Sequence, residues 1–471
     1  MTTTMQPRLT QVFRFTRCSY ADGVAELGYA FDDGEELVER IRFPVLAPSS
    51  HRGEGWGEGA WPSERRAAFA AALKLLHLIA GISYYKAGVP PKIDVADGPL
   101  DGATADLLDA LYLHGLAEFA YRNKLDLRSR IAFPRLSPSP RQGEGRGEGT
   151  ARSQAATLDL PRRTLVPIGG GKDSLVAVEA IKAIGAAATA VWVGNSALIA
   201  ACAERTGLPT LNIQRELAPG LFELNRQGAW NGHIPVTAVN SAILAVAAVL
   251  YGYDSIAFAN ERSASVATLE YEGQQVNHQW SKGYAFEQLL GDWLHTHVAA
   301  DLDYCSLLRP YSELAITRAF AKLTPYFDTF SSCNRNFKLL GPRPADRWCG
   351  QCPKCHFVFL ALAPFLAKPR LLSIFGRNLL DDESLAAGFD ALLEYRDHKP
   401  FECVGEGAEA RAAMFALSQR PEWAEDALVA RFRGEILPLL DPAQLALEPW
   451  LQPAAEHRVP PRLQRALATI G

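Results

Sequence analysis

An apolar stretch, Leu165-Val-Pro-Ile168, runs into three glycines and then Lys172-Asp173-Ser174 before a helical pattern begins. Gly169, Gly170 and Gly171 allow a tight turn that brings backbone N–H groups against an anion, and the positive end of the following helix adds to the attraction. Lys172 can neutralise phosphate charge, and the Ser174 hydroxyl can donate to a phosphate oxygen. The spacing is neither that of a Walker A loop nor that of the dinucleotide-binding Gly-x-Gly-x-x-Gly. A second cluster, Cys333, Cys349, Cys352 and Cys355, reads C-x15-C-x2-C-x2-C. Four thiolates at these spacings suit a tetrahedral Zn²⁺, with Gly350 and Pro353 in the turns; an iron–sulfur cluster is the alternative. His356 is an alternative fourth ligand, expected instead to be exposed at the start of a helix running to Leu366. No substrate-binding groups intervene between the cysteines, so the metal site reads as structural.

The elements that must position these groups follow from periodicity. The first part of the chain has strand-like segments at Gln11–Arg17 and Ala25–Phe31, then helical patterns at Ser63–Tyr85 and about Ala103–Asn123. Residues 1–160 are therefore expected to form an α+β domain. Two Gly-, Pro- and Ser-rich insertions, 44–60 and 134–150, share the pattern Gly-Glu-Gly-x-Gly-Glu-Gly and are expected to be flexible surface segments. From 161 to 366 strands alternate with helices. The strand before Gly169 is followed by a helix at Leu175–Ile184, a strand at Ala188–Val193 ending in Gly194-Asn195, and a short strand at Thr210–Ile213. An apolar helix at Ala238–Tyr251 then leads to a strand, Ser255–Ala259, that ends in Asn260-Glu261-Arg262. Such alternation predicts an α/β fold with a doubly wound parallel sheet whose ligands lie beyond the carboxyl ends of the strands. Residues 367–471 are expected to form a mainly helical region.

Composition narrows the class. At 471 residues, with 48% hydrophobic and 21% charged side chains, the chain is expected to form two or three globular domains. A formal net charge of −4 and the lack of a basic tract disfavour a nucleic-acid partner, while a nucleotide needs only a local pocket. The apolar runs Ala242–Leu250 and Phe357–Leu366 fall short of the roughly 20 residues that span a bilayer. The N-terminal residues carry Arg8, Arg14 and Arg17 without a signal-peptide core, so a cytoplasmic protein with no membrane insertion is expected. Of the remaining cysteines, Cys202 is expected in a helical core and Cys403 in a polar turn, His398-Lys-Pro-Phe-Glu-Cys-Val-Gly405.

The glycine turn resembles the pyrophosphate loop, Ser-Gly-Gly-x-Asp-Ser, of the ATP pyrophosphatase superfamily, with Gly169 in place of the first serine. Together with the distal cysteines it is similar to 7-cyano-7-deazaguanine synthase over about Thr164–Leu366. The whole chain more closely resembles the UDP-N-acetylmuramoyl-L-alanyl-L-glutamate epimerases of peptidoglycan synthesis. That resemblance is carried by Ile82-Ser-Tyr-Tyr-Lys-Ala87, Asn260-Glu-Arg-Ser-Ala-Ser265, Trp348-Cys-Gly-Gln-Cys-Pro-Lys-Cys-His356 and Lys399-Pro-Phe-Glu-Cys-Val-Gly405. It implies an adenine nucleotide α-hydrolase-like sheet. It also implies an ATP- and Mg²⁺-dependent enzyme that inverts the terminal L-Glu of a UDP-linked muramoyl dipeptide through an acyl-adenylate, releasing AMP and pyrophosphate. Lys172 would then stabilise the transferring phosphoryl group and Asp173 would hold Mg²⁺ or fix the loop. Gly169, Gly170, Gly171, Ser174, Gly194 and Asn195 would bind ATP, and Zn²⁺ would be structural. Asn260, Glu261 and Arg262 would contact ATP or substrate carboxylates, and Tyr84, Tyr85 and Lys86 are candidates for the muramoyl or uridine part. The base that takes the α-proton is not identified, His398 and Cys403 being candidates. A carboxylate–amine ligase or nitrile-forming enzyme is the alternative class, and a non-catalytic nucleotide-binding module is the binding-protein alternative.

Overall fold

The computed structural model describes residues 6–44, 61–137, 155–337 and 343–471. Most of the two Gly-rich insertions, expected at 44–60 and 134–150, lies outside the described residues. Pro134–Leu136 are described, and there Arg135 forms a parallel bridge with Leu100. The strands, in chain order, are β1 (Val12–Ala21), β2 (Val24–Phe31), β3 (Leu37–Arg42), β4 (Lys92–Val95), β5 (Thr164–Pro167), β6 (Ala188–Val193), β7 (Thr210–Glu216), β8 (Ser255–Phe258), β9 (Leu269–Tyr271), β10 (Gln274–Val276) and β11 (Asp303–Ser306). With their intervening helices they make the molecule α/β. Two compact units divide the chain, each assembled from separate stretches.

The first unit comprises Met1–Arg163, Asn212–Ile256 and Phe286–Tyr304. β1 and β2 form an antiparallel hairpin whose turn, Asp22-Gly23, has both residues at positive φ, as a tight hairpin turn requires. β2 pairs antiparallel with β3, β3 antiparallel with Gln214–Glu216 of β7, and β4 parallel with β1. Alternation along β1 and β2 turns Phe13, Phe15 and Tyr29 to one face, where they meet Tyr85 and Phe133 with ring centroids 5.1 to 5.9 Å apart. Helix Ser63–Ala80 packs on helix Val236–Tyr251, and the Arg65 guanidinium donates to the Val249 carbonyl at 2.9 Å near the second helix's end. Gly252, at φ 72°, closes that helix in the left-handed conformation.

The expected helix Ser63–Tyr85 is interrupted at Gly81, where a Cβ would come within 2.3 Å of the Phe15 ring. Contrary to the reading of apolar run lengths, this segment does reach the length and apolarity of a membrane span, with mean hydropathy 1.6. However, 78% of that window is buried inside the protein, as befits a core helix covered by strands and a neighbouring helix.

The second unit comprises Thr164–Leu211, Ala257–Ala285 and Cys305–Gly471. β5 and β6 are parallel, in register from Thr164↔Ala188 to Pro167↔Val191, and helix Lys172–Ala183 follows β5 directly. It starts three residues earlier than the pattern at Leu175 suggests, because the polar Lys172-Asp173-Ser174 form its first turn. Leu175, Val178 and Ile181 are buried with Cys202, which is in the core as expected. Further along, helices Pro353–Leu362, Lys368–Phe375, Ala386–Leu392 and Gly407–Ser418 enclose Phe359, Phe389, Met414 and Trp423. The last of these helices opens with a reciprocal capping box between Glu406 and Glu409.

Candidate active site

The glycine turn leaves β5 and enters its helix with Gly170 at φ 77°, a conformation open to glycine at little cost. Side chains crowd the turn. A Cβ on Gly170 would meet Leu198 at 2.9 Å, and one on Gly171 would meet Ser332 Oγ at 2.8 Å. The Gly169 N–H donates to Ser174 Oγ at 3.3 Å, and the Ser174 hydroxyl donates to the Gly171 carbonyl at 3.1 Å, so Ser174 also braces the turn. Gly171 caps the helix without a side-chain hydrogen bond, leaving the first-turn N–H groups and the positive helix end to an anion. Gly194, at φ 98°, and Asn195 follow β6; Ser196 then caps helix Ala197–Arg205, which supplies the Leu198 that crowds Gly170.

Lys172 points inward rather than toward water. Its ammonium is fully buried and paired with both Asp173 and Glu313. Burial pulls the Lys172 pKa down, but the two carboxylates outweigh it and push it above the ordinary lysine value. Burial opposes the charge on Asp173 too, and there Lys172 and Lys354 hold the carboxyl below its usual range. Glu313 is 1% exposed and caught between burial and its lysines, with a net upward shift. Its Oε1 accepts no hydrogen bond among the described residues and lies 3.7 Å from Lys354 Nζ. Asp173 and Glu313 thus place two carboxylates around the one Lys172 ammonium.

The polar chain continues. Lys354 Nζ donates to the Cys403 carbonyl, and Lys282 Nζ lies 3.1 Å from Cys403 Sγ. The Lys282 carbonyl accepts from Arg309, which is 2% exposed and whose other nitrogen donates to the Glu261 carbonyl at 2.6 Å. Asn260 donates to Ser306 Oγ at 3.0 Å, and the Arg262 N–H donates to the Tyr311 carbonyl at 3.0 Å. Asn260 and Glu261 are buried, so the expected ligand-contacting strand end is also part of an internal brace. Lys399 is 4% exposed and its Nζ has no hydrogen-bond partner among the described residues, although Glu406 is within electrostatic reach. Glu406 is thus a counter-charge near Lys399 without a hydrogen bond to it.

The four cysteines converge. Cys349 and Cys355 sulfurs are 3.7 Å apart, Cys352 and Cys355 3.5 Å, and Cys352 and Cys333 4.0 Å. Thiolates around one tetrahedral ion at zinc–sulfur lengths sit about 3.8 Å apart. The set therefore could hold a single metal ion such as zinc, whereas a multi-iron cluster spreads its thiolates over separate irons. His356 is not exposed as expected: it is 4% exposed, stacked on Phe389, with Nε2 3.3 Å from the Gly350 carbonyl. The apolar cover supplied by Phe389, more than thirty residues downstream, had no local signal. The metal-ligand segment is tied to the glycine turn, because the Ser331 N–H donates to the Gly170 carbonyl at 2.9 Å and Ser331 Oγ accepts from the Cys333 N–H at 3.1 Å.

Tyr84, Tyr85 and Lys86 do not present a ligand-binding surface. The two tyrosines are fully buried and Lys86 is 6% exposed within the first unit. Tyr84 stacks on Tyr29 and accepts from the Ala218 N–H at 2.9 Å, Tyr85 donates to the Pro90 and Arg130 carbonyls, and Lys86 donates to Asn231 at 2.9 Å. Their polar atoms are used internally, which is why a polar, aromatic helix end here serves packing. Conversely, reading by local motif missed Lys282, Arg309, Glu313 and Lys354. Lys354 stood inside the Cys-Pro-Lys-Cys run and could have been flagged. Glu313 carried no local signal.

Geometry alone defines an α/β protein with a glycine turn entering a helix N-terminus beside a cluster of lysines and carboxylates, plus four converging thiols that could hold a metal ion. Two family models extend this: the MurL N-terminal domain matches residues 4–307 and the MurL C-terminal domain matches 329–446. A UDP-N-acetyl-alpha-D-muramoyl-L-alanyl-L-glutamate epimerase of Xanthomonas oryzae pv. oryzae is 57% identical over 96% of this chain and 95% of its own length. Proteins of the same name from a Micromonospora species and from Salinispora tropica are 40% and 41% identical, over 98% and 90% of this chain and 99% and 89% of theirs. The chain belongs to this epimerase family.

Proposed function

We propose that this protein inverts the terminal L-glutamate of UDP-N-acetylmuramoyl-L-alanyl-L-glutamate, using ATP through an acyl-adenylate and releasing AMP and pyrophosphate. The observation that carries this reading is a whole-length likeness to epimerases of that name in a chain whose glycine turn opens onto a helix end and a buried Lys172. The turn's likeness to the pyrophosphate loop of ATP pyrophosphatases supports cleavage between the α- and β-phosphates.

A carboxylate resists loss of its neighbouring α-proton, because an enolate would form beside an existing negative charge. Attack of the glutamate α-carboxylate on the α-phosphorus expels pyrophosphate and removes that charge. The acyl carbonyl can then accept the electron pair left when the α-proton departs. Return of a proton to the opposite face inverts the centre, and hydrolysis of the mixed anhydride releases AMP and product. The helix N-terminus at Gly171 and the backbone of Gly169 and Gly170 hold the phosphates, and Lys172 balances charge around Asp173 and Glu313. Mg²⁺ bound by Asp173 and Glu313 would offset charge on the departing pyrophosphate. Gly194 and Asn195 border the adenylate, and Asn260, Glu261 and Arg262 line the same strand-end region. Lys399 pairs with the free γ-carboxylate of the substrate. Cys333, Cys349, Cys352 and Cys355 would hold zinc, which would fix the segment whose Ser331 N–H donates to the Gly170 carbonyl.

Incubation with ATP, Mg²⁺ and the muramoyl dipeptide, followed by nucleotide chromatography and chiral analysis of the glutamate, tests the proposal. D-glutamate with AMP and pyrophosphate is expected. ADP with orthophosphate, or an amide or nitrile product, would replace this reading.

A further inference from the structure

The polar chain that begins at the glycine turn ends on the backbone of Cys403, whose sulfur meets two further cationic or imidazole groups. From Asp173 it passes through Lys172, Glu313 and Lys354 to the Cys403 carbonyl, while the same residue's sulfur faces Lys282 Nζ at 3.1 Å and hydrogen-bonds with His278. The other candidate base, His398, is 51% exposed and bonded to Asp397 at 3.0 Å, outside this cluster. We propose that Cys403, as a thiolate held by Lys282 and His278 at the end of the ion-pair chain from the phosphate-binding turn, is the base that removes the glutamate α-proton on one face.

This rests on the acyl-adenylate reading, since only an activated carboxyl makes that proton acidic enough for a thiolate. The groups facing the sulfur are Lys282, His278, Lys354 and the neighbouring Glu402. Burial raises the Cys403 pKa, but Lys282, then His278 and Lys354, outweigh it and bring it to about 5, so the thiolate is the resting form at neutral pH. In the step, the sulfur lone pair forms an S–H bond as the Cα–H bond breaks. The C–H electron pair moves onto the acyl carbonyl oxygen as an enolate. An acid in exchange with water gives a proton to the opposite face of Cα, and the Cys403 thiol then loses its proton to solvent, restoring the thiolate. A cation beside the sulfur keeps the base charged without a permanent partner carboxylate, and Lys399, four residues earlier on the same segment, anchors the substrate's remaining charge.

The test compares wild type with Cys403→Ser in D₂O with ATP, Mg²⁺ and the muramoyl dipeptide. AMP release within about tenfold of wild type, with D-glutamate and α-deuterium both down at least about 100-fold, is expected for loss of a general base. Retained inversion in the variant while wild type makes AMP would overturn Cys403 and leave the activation reading standing. No AMP from wild type would bring down the activation reading and this base with it. Should Cys403→Ser not fold, the wild-type holoenzyme answers by another route, the rate of iodoacetamide alkylation at the Cys403 peptide against pH, read by mass spectrometry. A midpoint below about 7 that rises by at least about one unit in Lys282→Met supports the thiolate, and a midpoint near the ordinary thiol value of about 8.5 overturns it. A glutamyl adduct on Cys403 in the intact mass during turnover would make the sulfur a nucleophile and overturn its role as base.

Discussion

Lys86 in the first unit and Lys172 in the second are both buried lysines, yet their surroundings drive them in opposite directions. Lys86 has a neutral acceptor, Asn231 at 2.9 Å, and burial lowers its pKa to about 8. Lys172 has two carboxylates, which push its pKa up in spite of deeper burial. Burial by itself discharges an amine; a fixed counter-charge keeps it cationic. A fold that keeps the ionisable Lys172, Glu313 and Lys354 out of water, beside a partly exposed Asp173, pays a desolvation penalty that apolar packing would avoid. That penalty is where function is to be sought, and the Lys86 environment carries no comparable cluster.

The contrast can be broken most strongly at the four cysteines, which could hold a metal ion beside the second cluster. Cys352→Ser is expected to lower bound zinc from one per chain to well below, and to destabilise the fold by at least several kcal/mol, because ligand-set binding energy is folding energy. Elemental analysis and thermal denaturation check this, and a stable metal-free variant would refute it. Next in size, Lys172→Met should reduce AMP formation on the order of 10²–10³-fold. It should also cost about 3–5 kcal/mol by leaving buried carboxylates uncompensated, with part of the stability restored when Glu313→Gln is added. Nucleotide chromatography and denaturant titration of the single and double variants read the two effects.

Lys86→Met sharpens the comparison, since it should leave turnover unchanged. The sign follows from the lowered folded-state pKa. Between about pH 8 and the unfolded value near 10.5 the unfolded chain binds more protons, so the penalty for Lys86 is full below pH 8 and fades as pH rises through that window. The shift corresponds to about 3 kcal/mol at most. Lys86→Met should therefore be neutral or stabilising at pH 7, with its advantage over wild type shrinking toward pH 10.5 in denaturation experiments. The smallest effect is expected from Tyr84→Phe, which removes the acceptor for the Ala218 N–H and should cost about 1 kcal/mol with unchanged kcat. A large drop in kcat there would return Tyr84 to the substrate site.

What local chemistry encodes was legible in the chain. Three glycines before Lys172 favour a turn because glycine adopts the positive φ of Gly170 at little cost and leaves room for Ser332 beside Gly171, and the four cysteines suit a metal through their spacing. The strands at Ala188–Val193 and Ser255–Phe258 and the helix ending at Gly252 followed from periodicity and a stop signal. Tyr84, Tyr85 and Lys86, expected as candidates for the muramoyl or uridine part, are buried in the first unit, and they show the limit of that reading, since the same residue types serve a binding site or a hydrogen-bonded core and only their neighbours decide which.

By itself, then, the sequence determined the turn, the metal-ligand set and most element types, because these depend on residues a few positions apart. Tertiary structure decided the charges. The carboxylate that holds Lys172 is 141 residues away at Glu313, and the ammonium facing Cys403 is 121 residues away at Lys282. No local propensity specifies either pair. Each exists because separate stretches of chain fold into one unit, where low polarity makes a charge and its partner interdependent.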